Sequence, residues 1–65
     1  MKSYILVYKY RVKDGYSGTS LQANSAGSAI RKAESYCTSN CVRPFLLFEQ
    51  RYTAIINVKE WKTEK

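Results

Sequence analysis

Sixty-five residues, with eleven Lys and Arg against five Asp and Glu and no histidine, make a small chain of net charge +6. That length allows one domain, residues 1–65, and excludes a multi-domain enzyme or a cofactor domain built around a large crevice. Apolar residues make up 45%, enough for a small core, and no apolar run approaches the ~20 residues of a membrane span.

The chain opens Met-Lys-Ser-Tyr-Ile-Leu-Val-Tyr-Lys-Tyr. A charge before an apolar stretch faintly resembles a secretory leader. The stretch is short, rich in tyrosine and interrupted by Lys9 and Arg11, and no small-residue cleavage site follows. It reads instead as a first strand over residues 3–13, and the expected compartment is the cytoplasm. Alternation puts Tyr4, Leu6, Tyr8, Tyr10 and Val12 on one side, and Ile5, Val7, Lys9, Arg11 and Lys13 on the other. Asp14 to Gly18 is turn chemistry, with Asp-Gly the strong element. Residues 19–24 read as a second strand with Thr19, Leu21 and Ala23 on one face, closing a hairpin.

Asn24 or Ser25 suits a helix N-cap. Ala26, Ala29, Ile30, Ala33 and Cys37 then recur at helical spacing, with Tyr36 at the edge of the stripe. Arg31, Lys32, Glu34 and Ser35 fall on the outer face, and Thr38 to Asn40 ends the helix. Residues 41–51 are ambiguous. Pro44 blocks a helix, and the run Phe45 to Phe48 reads as a strand or a short helical turn, with the strand preferred. Residues 52–61 form a last strand: Tyr52, Ala54, Ile56 and Val58 share one face, and Ile55, Asn57, Lys59 and Trp61 the other. Residues 62–65 form a charged tail.

The order β-β-α-(β)-β predicts an α+β domain with an antiparallel sheet of three or four strands and one helix on one face. The final strand is expected beside the first. The other face of the sheet then has no cover within one chain. If the tyrosine side of the first strand packs under the helix, Ile5, Val7 and the cations face outward. If Ile5 and Val7 pack, Tyr4, Tyr8 and Tyr10 line the open face instead.

Two functions fit an open face mixing aromatic surface with positive charge. The first is nucleic-acid binding: aromatic rings on a sheet stack single-stranded bases, and flanking cations track phosphates. Lys9, Arg11 and Lys13 stand about 7 Å apart along one strand face, with Tyr8, Tyr10, Tyr16 and Lys59 beside them. The alternative is a protein interface, as an inhibitor, an accessory module or a homodimer, using Trp61, Ile55 and Tyr4. Ordinary explanations compete with both, because tyrosine is common in strands and lysine guards sheet edges.

Catalysis is not expected. Histidine, the commonest general base, is missing and the carboxylates are scattered; Glu49 and Glu60 could in principle approach one another across strands. Cys37 and Cys41 are too few for a four-ligand zinc site. They are expected as free thiols, with a disulfide at the helix end as the alternative. No cofactor and no membrane partner is implied.

Overall fold

The structure, a computed structural model, describes residues 1–61; the charged tail lies outside them. The elements are β1 (Lys2–Tyr10), β2 (Tyr16–Ala23), α1 (Ala26–Ser39), β3 (Val42–Arg51) and β4 (Ala54–Glu60). They form one antiparallel sheet in the order β2-β1-β3-β4, with a single helix against it.

The ambiguous stretch after the helix is therefore a strand, and it corrects the expected topology: β3 lies beside β1, and the final strand lies outside β3. β2 and β3 both run antiparallel to β1 and hence parallel to each other, and α1 carries the chain over β1 between them. Pro44 is tolerated inside this inner strand for two local reasons. It adjoins a bulge, and β4 pairing with β3 stops at Leu46↔Glu60, so no β4 residue requires its missing N–H.

The first hairpin turns earlier in the chain than its sequence suggests, and Tyr16 to Gly18, expected in the turn, belong to β2. β1 ends at Tyr10, and Arg11 to Asp14 form the bend. The Tyr10 amide donates to the Gly15 carbonyl at 3.3 Å, and Gly15 adopts φ +130°, a conformation that favours glycine. Val12, one candidate for the space under the helix, is instead 95% exposed.

Ser25 is the N-cap, its hydroxyl accepting from the Ser28 amide at 3.3 Å, an interaction that stabilises a helix by about 1 kcal/mol. Ala29, Ala33 and Cys37 form the buried stripe. Their small side chains let the helix lie close over Tyr4, Leu6, Ala23, Val42 and Leu47, which complete the core. Ala26, expected in the stripe, is exposed in the first turn. At the other end the Asn40 side chain donates to the Tyr36 carbonyl at 2.9 Å. Cys41 then turns the chain at φ +56°, a left-handed position more often filled by glycine.

Two bulges decide which side chains share a face. Val7 pairs with Leu46 and Tyr8 with Pro44, so Phe45 is an extra residue on β3. Leu47 pairs with Lys59 and Phe48 with Asn57, so Val58 is an extra residue on β4. Each extra residue resets the two-residue alternation beyond it. This corrects the expected placement of Lys59 and Trp61: they do not continue the face of Ile55 and Asn57. Trp61 lies on the helix side, where its indole N–H donates to the Glu34 carboxylate at 3.1 Å.

Candidate interface on the open sheet face

Burial settles which side of β1 packs. Tyr4 and Leu6 are fully buried, and Tyr8 and Tyr10 pack against the same core. The register carries this face across the sheet, with Tyr4 beside Leu21 and Glu49, and Leu6 beside Thr19 and Leu47. The reading with Tyr4, Tyr8 and Tyr10 on the open face is therefore corrected. The Tyr8 ring meets Tyr10 edge-on at 5.8 Å and Tyr36 at 5.6 Å. Hydrogen bonds from Ser17 and then Tyr36 hold the Tyr8 phenol below its ordinary value, while the bond with Tyr8 pushes Tyr36 up.

The opposite face carries Ile5, Val7 and Lys9 from β1. Across β2 these meet Ser20, Gly18 and Tyr16; across β3 they meet Phe48, Leu46 and Arg43. Gly18 sets no side chain opposite Val7, and the Tyr16 and Phe45 rings approach to 4.9 Å at an angle of 48°. Tyr16 is 55% exposed and Ile55, farther along the same face on β4, is 63% exposed. The result is an apolar and aromatic surface with two cations, Lys9 and Arg43, side by side at the hairpin end.

The sequence-level candidates divide between the faces. Lys9, Tyr16 and Ile55 reach the open face together. Arg11 and Lys13 leave the strand at the bend and are not in line with Lys9, which corrects the three-cation row. Lys13 stacks its ammonium 4.7 Å from the Tyr10 ring, and Arg11 acts electrostatically on the Cys37 thiol. Lys59 lies 5.6 Å from the Trp61 ring. Tyr4, Tyr8, Tyr10, Lys59 and Trp61 all belong to the helix side. Arg43, Phe45 and Phe48 were missed as open-face residues, because their side depends on β3 being a strand and on its bulge.

The remaining groups are accounted for locally. Glu49 and Glu60 do not meet: Glu49 pairs with Ile56, and Glu60 with Leu46. The buried Glu49 carboxylate accepts from the Arg51 guanidinium at 2.8 Å, and this bond holds it below the usual carboxylate range. That ion pair lies beside a shallow cavity of about 380 Å³ lined also by Lys2 and Tyr52. Both cysteines are free, Cys37 buried and Cys41 exposed. Burial pushes the Cys37 thiol up, against a smaller opposing pull from Arg11.

No helix among the described residues is long and apolar enough to cross a membrane. No protein-family model matches the chain, and no curated protein or solved structure matches it either.

Proposed function

We propose that this is a non-enzymatic binding protein that holds single-stranded nucleic acid on its open sheet face. The observation that carries the reading is the grouping of Tyr16 and Phe45, 4.9 Å apart, with Lys9 and Arg43 paired across β1 and β3. Exposed rings on a sheet offer stacking platforms that tolerate any base, worth about 1–3 kcal/mol per base. Neighbouring cations supply the phosphate attraction that falls with salt. The overall charge of +6 favours a polyanionic partner over a neutral one. Phe48 continues the apolar track away from the cations, so a strand of several nucleotides has room to lie across β1 and β3.

The test is a fluorescence-anisotropy titration with labelled single- and double-stranded DNA and RNA at two salt concentrations. Single strands are expected to bind more tightly, with affinity falling as salt rises. Lys9→Glu with Arg43→Glu should remove binding, and Tyr16→Ala should weaken it by about 1–3 kcal/mol. Lys59→Glu, on the helix side, changes the net charge as a single substitution at either site would, and should cost far less. Equal losses from both faces, or no binding at low salt, overturn the reading.

A second reading rests on the apolar part of the same face. Ile5, Val7, Leu46, Phe48 and the exposed Ile55 form a surface of the kind that protein interfaces bury. A partner held there would bind with little salt dependence and would be lost on removing Phe48 or Ile55 rather than Lys9.

A further inference from the structure

The sheet has two outer strands, and they are protected very differently. β4 carries a bulge at Val58 and the charges Lys59 and Glu60, features that discourage another strand from pairing with an edge. β2 has no proline, no register shift in its pairing with β1, and no charged residue in Tyr-Ser-Gly-Thr-Ser-Leu-Gln-Ala. Among the strands of the described residues it alone carries no charge. One carbonyl near its end is covered: Lys32 donates to the Gln22 oxygen at 2.7 Å. The stretch from Tyr16 to Leu21 keeps its outer backbone groups unpaired by any other strand.

We infer that this edge pairs antiparallel with the same edge of a second copy. The choice of occupant follows from charge. At net charge +6, two copies repel wherever their cations meet; along β2 no cation faces its equivalent. A two-fold axis perpendicular to the sheet and centred on Gly18 sets Tyr16 opposite Ser20, and Ser17 opposite Thr19, of the second copy. Centred on Thr19, it sets Ser17 opposite Leu21 and Gly18 opposite Ser20. Both registers pair residues from the same face, so the two open faces join on one side of a continuous sheet and both helices lie on the other. The contact is self-complementary, as a closed dimer requires, and it leaves Lys9, Arg43 and the apolar track uncovered. It is independent of the nucleic-acid reading.

Sedimentation equilibrium over a wide concentration range, without nucleic acid, tests it directly. The expected result is a reversible dimer of twice the 7.5 kDa chain mass. Ser20→Lys places a guard charge mid-edge and should weaken the dimer at least tenfold, or about 1.4 kcal/mol, with the circular dichroism unchanged. Phe48→Ser combined with Ile55→Glu strips the open face and should leave the dimer intact. Hydrogen exchange should show protection of consecutive β2 amides in the dimer, against alternate ones in the monomer. A monomer at millimolar concentration overturns the inference. So does a dimer that survives Ser20→Lys and is lost on stripping the open face, because two sheets packed face to face would behave that way.

Discussion

Tyr4 shows how a single atom can depart from the logic of its surroundings. Its ring is fully buried between Leu21 and Glu49, yet its hydroxyl has no hydrogen-bond partner among the described residues. An unpaired buried hydroxyl costs about 1–3 kcal/mol of desolvation. Tyr4→Phe should therefore leave stability unchanged or raise it within that range, as read by chemical denaturation. A loss of more than about 1 kcal/mol would show that the hydroxyl is bonded after all. Glu49, its neighbour, makes the opposite case. Its carboxyl pKa is lowered in the fold by the Arg51 hydrogen bond, so the charged form stabilises the native state above the unfolded value of about 4.3. That contribution disappears as pH falls through the lower folded value. Glu49→Gln should melt below the parent at neutral pH, and the gap should close on acidification through the carboxylate range.

At the scale of elements, the end of α1 and the two bulges carry most of the information that periodicity lacks. α1 follows its alanine stripe and its serine cap closely, because i, i+3 and i+4 spacing is independent of what the helix packs against. Its last turn separates two cysteines four residues apart into different environments. Cys37 faces the core and its thiol is pushed up by burial, while Cys41 stands exposed in the left-handed turn. Iodoacetamide at neutral pH should modify Cys41 in the native protein and reach Cys37 only in denaturant, which intact-mass measurement will count. Early labelling of Cys37 would mean that the helix end opens readily. The strands are less predictable than the helix, since one extra residue reverses every side chain beyond it. The bulge at Val58 is why Trp61 meets Glu34 rather than the open face.

Across the whole molecule, one sheet separates two chemistries. The helix side collects Tyr4, Tyr8, Tyr10, Tyr36 and Trp61 around the core, where rings fill the space that small helix residues leave. The open side keeps Tyr16 and Phe45 near Lys9 and Arg43, with Phe48 farther along the same face. A single helix cannot cover both faces of a four-stranded sheet. The uncovered face is consequently the surface on which a partner has most to gain by burial.

The class of the fold was legible in the residues: the alternation in β1, the Asp-Gly turn, the Ser25 cap and the alanine stripe are local patterns, and local patterns need only neighbours along the chain. The open face was legible for the same reason, as one helix was all the sequence offered. Tertiary structure alone decided that β3, not β4, lies against β1, which rings face outward, and which cations stand together. Register between distant strands, and the bulges that interrupt it, arise from packing across the sheet. The pairing of Lys9 with Arg43, thirty-four positions later in the chain, exists only once that packing is in place.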